Sequence, residues 1–147
     1  MSRSIAMSRL LVAIQVVASA VIVLSARPTG EYQIGMTIAA AGIALGAWAI
    51  ASMGIRSVSV MPELKSQAQL TTTGPYRFIR HPMYTALLTF TAGLAFSPVA
   101  IWKLVLWAII LAVLIAKAKI EEQQLRDRFP EYDRYAQQTK RFLPYIF

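Results

Sequence analysis

Apolar residues in this chain fall in long blocks rather than scattered positions, and four blocks can be marked. They run from Ile5 to Ala26, from Ile34 to Ile55, from Met83 to Ser97 and from Val99 to Ala118. About 20 residues at about 1.5 Å rise match a bilayer core of about 30 Å, so the first, second and fourth blocks predict membrane-spanning helices. The third gives only about 22 Å of helix. It ends at Ser97-Pro98 and predicts the first arm of a tight hairpin with the fourth, tilted or partly embedded. Beyond the fourth block, Glu121 and Glu122 follow the last apolar residue, Pro130 stops the helix, and Tyr132, Tyr135 and Phe142 mark a short amphipathic tail. The expected fold is an all-α integral membrane protein of about four transmembrane helices, with a cytoplasmic C-terminal amphipathic helix.

Composition supports the membrane reading, with 56% hydrophobic residues and a mean hydropathy of +0.51. The N-terminal run after Arg3 continues to Ala26 without a clear small-residue cleavage site, so a retained helix is expected rather than a signal peptide. The net charge of +8 raises nucleic acid as a partner. The basic residues, however, lie between the apolar blocks rather than on one stripe, as the positive-inside tendency predicts, so no nucleic-acid role is expected. Arg56, Lys65, Arg77 and Arg80 in the second loop, and Lys117 to Arg141 after the fourth block, place that loop and both termini in the cytoplasm. Lys103, one turn inside the fourth block, is expected to snorkel to the outer headgroups beside Trp102. No cysteine is present, which excludes disulfides and thiolate chemistry, and a single histidine argues against a metal site. Gly42 and Gly46 form a GxxxG within a stretch rich in small residues, read as packing within one chain in preference to dimerisation. Oligomeric state is left open.

The densest polar stretch, GPYRFIRHPMY over residues 74–84, stands at the mouth of the third block. Pro82 suits a first helical turn, where its missing N–H had no partner. Arg77 and Arg80 beside that helix start make an anion site, or else contact lipid phosphates under the positive-inside rule. His81 reads as a cap or as a site residue, and Tyr84 as an interfacial anchor or an aromatic face for a cation. Glu121 can accept ribose hydroxyls or balance a positive ligand; its plain role is pairing with Lys117 or Arg126 along the helix. If the third and fourth blocks form a hairpin, His81–Tyr84 and Lys117–Glu122 meet at one membrane face.

TTGPYRFIRHPMYTALL followed, after two apolar blocks, by EEQQLRDRFPEYDRYAQQTKRFLP resembles the isoprenylcysteine carboxyl methyltransferase family, part of a wider group with the phospholipid N-methyltransferases. The likeness covers about residues 63–147 and rests on an RHPxY block paired with an EExxL…FxxYxxY…P block. It implies one domain: an N-terminal two-helix membrane region over 1–62 and a C-terminal cofactor-binding region over 63–147. It implies an enzyme using S-adenosylmethionine, with Tyr76, His81, Pro82, Tyr84, Glu121 and Glu122 around the cofactor. Arg80 and Arg141 would contact an acceptor carboxylate and, with Glu121, form the catalytic set. Ala86 departs from the glycine usual in the family two residues after the RHPxY tyrosine.

The implied chemistry suits these residues. A carboxylate acceptor is ionised at neutral pH and needs no strong base, so the enzyme chiefly aligns its reactants. The lipid tail of the acceptor would enter between helices from the bilayer. The resemblance leaves two further readings, methylation of a phospholipid amine or a small thiol, and an NADPH-dependent sterol-type reductase with a similar RHPxY element.

Overall fold

A computed structural model describes residues 2–27, 32–55, 59, 61 and 69–144. Five α-helices follow one another: α1 (Ser2–Ser25), α2 (Gln33–Met53), α3 (Pro82–Ala95), α4 (Ile101–Arg128) and α5 (Tyr132–Gln138), with a 3-10 turn at Gly74–Arg77 before α3. Three of them, over Ala6–Ser25, Gln33–Met53 and Ile101–Arg128, are long and apolar enough to cross a membrane. The third apolar block yields a helix of 14 residues, about 21 Å. That is short for a straight crossing, as expected of a tilted or partly embedded arm, and among the described residues it stands with three long helices. Arg56 and Lys65 lie outside the described residues.

The short helix is held by small residues. A Cβ added at Gly42 would lie 2.5 Å from the Phe90 nitrogen, and one at Gly93 would lie 2.5 Å from the Ala39 nitrogen. Gly35 and Gly93 face each other's backbones in the same way. The stripe of small residues thus packs α2 on α3 inside one chain, as expected for the GxxxG. At Gly46 an added Cβ would meet only Ala86 Cβ, at 3.5 Å, an ordinary contact. The extra methyl of Ala86 is therefore accommodated between the helices without strain. Ala18, Ile22, Ala39, Leu88, Leu94, Ile110 and Leu114 form an apolar core shared by α1, α2, α3 and α4.

Antiparallel packing gives the bundle two ends. At one, the end of α1 meets the Ser97–Ala100 connection and the start of α4: Arg27 N–H donates to Ser97 O at 2.8 Å. Lys103 does not snorkel outward as its sequence position suggested. It is 2% exposed, and its ammonium donates to Ser25 O at 3.2 Å and Pro98 O at 2.9 Å. The end of α1 and the α3–α4 connection offer carbonyls without helical partners, and these take two of the ammonium's donors. At the other end lie the start of α3, the last turns of α4 and the C-terminal tail. Helix α4 continues well past its apolar part to Arg128, which carries Glu121 and Glu122 on a rigid helix.

Candidate active site

The cluster begins with a helix start. Pro82 occupies the first turn of α3, and His81 precedes it with non-helical backbone angles (φ −123°, ψ 59°). The His81 carbonyl takes the Tyr84 and Thr85 N–H groups, but its ring does not cap the helix. Instead the ring turns to α4. Nε2 lies 3.2 Å from Glu122 Oε1 and Nδ1 lies 3.6 Å from Glu121 Oε2. Tyr84, three residues on, stacks on the imidazole with ring centroids 5.2 Å apart and 5° between planes. Its hydroxyl donates to Glu121 Oε2 at 3.1 Å.

Glu122 is 1% exposed and sits at the centre of a clamp. Arg80 Nε donates to it at 3.1 Å; Arg141 donates through Nε at 2.9 Å and through Nη2 at 2.7 Å. Two guanidinium groups and an imidazole around one buried carboxylate satisfy acceptor sites that would be costly to leave empty. Hydrogen bonding to Glu122 in turn raises the Arg141 pKa. Neither acid forms the plain helix pair with Arg126, whose Nε binds Asp133 Oδ1 at 3.1 Å instead.

The tail closes over this cluster rather than lying out on the headgroups. Residues 78–81 and 140–141 run side by side: Lys140 N–H donates to Phe78 O at 3.2 Å, Arg80 N–H to Lys140 O at 2.7 Å and His81 N–H to Arg141 O at 3.1 Å. The Arg80 guanidinium also binds the Ala136 and Thr139 carbonyls. Thr85 Oγ1 donates to Phe142 O at 2.8 Å, and the Phe142 ring packs on both His81 and Tyr84. Tyr135 donates its hydroxyl to Tyr76 O at 2.7 Å, while Tyr132 is wholly buried. Burial and then the charge of Glu121 push the Tyr76 pKa upward, and its hydroxyl lies 3.9 Å from Met53 Sδ.

Arg80, His81, Tyr84, Glu121, Glu122 and Arg141 are thus joined directly, and Pro82 builds the helix start beneath them, while Tyr76 is tied to Tyr135 of the tail rather than to the cluster itself. Sequence reasoning missed Thr85, Thr139 and Gln15. Gln15 of α1 accepts from the buried Lys117 ammonium at 2.6 Å, and that ammonium lies 5.3 Å from the Tyr84 ring centroid. A lone glutamine inside an apolar block was the available signal. No comparable signal marks the two threonines.

Fold and site together define a multi-pass helical membrane protein with a charged cluster at one end of its bundle. The phospholipid methyltransferase family matches residues 30–132, well over half of the chain, and the protein belongs to that family. That family is one of membrane methyltransferases, whose members generally use S-adenosylmethionine. The match includes the RHPMY stretch and both acids but ends at Tyr132, so the tail's part in the cluster rests on geometry.

Two curated relatives were also found. The nickel-cobalt-cadmium resistance protein NccN of Alcaligenes xylosoxydans xylosoxydans is 33% identical over 81 residues, 54% of this chain and 38% of that protein. The cobalt-zinc-cadmium resistance protein CzcN of Cupriavidus metallidurans is 33% identical over 76 residues, 51% of this chain and 35% of that protein. The matches thus span little more than a third of either relative's length. Among the described residues, no group of three or more His, Cys, Asp or Glu side chains is placed to hold a metal ion.

Proposed function

We propose that this chain is an S-adenosylmethionine-dependent methyltransferase that esterifies the carboxyl group of an isoprenylcysteine-like or other lipophilic acceptor. One observation carries the reading: Glu121 stands beside the saturated Glu122 clamp with an acceptor to spare. Its side chain is 27% exposed, and Tyr84 and His81 both address Oε2. Oε1 has no partner among the described residues. A half-exposed carboxylate beside a stacked aromatic pair fits the ammonium or ribose hydroxyls of the cofactor. The residues present therefore suit the group, with Glu121, Tyr84, His81, Pro82 and Tyr76 holding it.

When bound, S-adenosylmethionine supplies a methyl group on a cationic sulfur. The protein's own part is alignment and exclusion of water. Glu122 fixes His81 and both arginines, so the wall bearing Tyr84 and Glu121 keeps its shape. Arg80 is committed to Glu122 and two tail carbonyls, which makes it a positioning residue. Arg141, whose side chain is 22% exposed, is the better group to orient an acceptor carboxylate. The positive-inside count puts this end of the bundle on the cytoplasmic side, and the acceptor's lipid tail enters from the bilayer between helices.

Labelled methyl transfer against prenylcysteine, phospholipid and thiol acceptors tests the proposal. Methyl ester formation on the prenylcysteine acid, lost on Arg141→Ala, is the expected outcome. Transfer only to an amine or a thiol would overturn the carboxyl assignment.

A further inference from the structure

The opposite end of the bundle contains a second polar feature, independent of the methyl-transfer reading. A groove of about 460 Å³ opens there between the end of α1 and the α3–α4 connection, walled by Leu24, Arg27, Pro98, Ala100, Trp102 and Lys103. Lys103 is buried, and its ammonium lies 5.7 Å from the Trp102 ring centroid. An ammonium carries three N–H donors and a full charge. Two backbone carbonyls take two of those donors, and among the described residues no carboxylate stands within ion-pair distance of Lys103 or of exposed Arg27. The like charges of the two side chains also act on each other. A cation pair without a counter-charge is costly at a membrane boundary, and an anion between the two relieves it.

We propose that this groove binds the phosphate of an anionic phospholipid headgroup, in the leaflet opposite the Glu121–Glu122 site. Arg27 and Lys103 supply charge-assisted donors to the phosphate oxygens. The groove's flanks favour a lipid over a free anion: Leu24 is 86% exposed, and half-exposed Trp102 is of the type that sits at headgroup level. Occupancy would link the α1 end to the α3–α4 connection.

The test uses the full chain in mild detergent, mixed with phosphatidylglycerol or phosphatidylcholine, with retained lipid measured by native mass spectrometry. The parent should keep phosphatidylglycerol selectively, even in excess inorganic phosphate. Arg27→Gln should weaken retention roughly tenfold, and Ala100→Glu, which adds an acid to the wall, should abolish it. Circular dichroism confirms that both variants remain helical, and Ala100→Glu leaves both cations in place should Arg27→Gln not fold. Equal retention of both lipids, parent-like retention by the folded variants, or displacement by phosphate would each overturn the proposal. So would a parent that retains no phosphatidylglycerol while Glu31→Gln gains it, since Glu31, an acid four positions after Arg27 and outside the described residues, would then be the counter-charge.

Discussion

At one end of the bundle Glu122 is buried beneath Arg80, His81 and Arg141; at the other Lys103 is buried against the carbonyls of Ser25 and Pro98. Both are charged groups at a membrane boundary, yet they are solved differently. Lys103 borrows backbone carbonyls at the end of α1 and in the α3–α4 connection, which joins the two and needs no special side chains. Glu122 draws its partners from two stretches far apart in sequence and so fastens the RHPMY segment to the tail. Beside it, Glu121 is partly exposed, with Oε2 facing Tyr84 and His81. Burial of charge is common to both ends; the partly satisfied neighbour distinguishes the end for which we propose chemistry.

The comparison is broken most forcefully at Glu122. Glu122→Gln removes the charge that pairs with two guanidinium groups, a loss of about 3–5 kcal/mol when one partner of a buried pair is deleted. Thermal unfolding in detergent should register it, and limited proteolysis should show the tail beyond α5 cleaved sooner. Preserved stability with an uncleaved tail would mean that the clamp does not hold the end together.

A smaller effect is expected from the scaffold that serves both ends. Gly93→Ala places a methyl group against the Gly35 carbonyl and the Ala39 nitrogen. Backbone cannot yield as a side chain would, so overpacking should cost about 1–3 kcal/mol. Its signature is a lowered unfolding temperature together with weakened cofactor binding, because α3 begins directly after His81 and carries Tyr84. Unchanged stability would show that α2 and α3 pack less closely than described.

Lys103→Met should do least. Two hydrogen bonds are lost, a net of about 1 kcal/mol each at most, partly offset because an apolar chain no longer buries a charge. Unfolding temperature is the readout, and binding at the far end should stay at the parent value. A loss as large as that of Glu122→Gln would erase the distinction between the ends.

Much of this was legible in the sequence. Block lengths gave the three long helices, Ser97-Pro98 gave the turn back, and the pairing of RHPxY with the double glutamate brought His81, Tyr84, Glu121 and Glu122 to one face. The division of labour between the acids was not legible. Glu121 and Glu122 are neighbours in sequence, and only the rotation of α4 decides which of them meets both arginines. The role of Lys103 was also hidden, because its partners are backbone carbonyls, which leave no mark on side-chain pattern. The tail's aromatics read more readily as interfacial packing; in the structure residue 79 pairs with residue 140 and the tail lies over the cluster.

The central claim is that Glu121, displayed beside the Glu122 clamp, holds the methyl donor at one end of the bundle. Calorimetry with S-adenosylhomocysteine on the parent and on Glu121→Gln tests it most directly. Binding to the parent, weakened roughly tenfold or more in a variant of unchanged stability, is the result expected when a charge-assisted contact is lost. A parent that does not bind, or a Glu121→Gln protein that binds as the parent does, would contradict it.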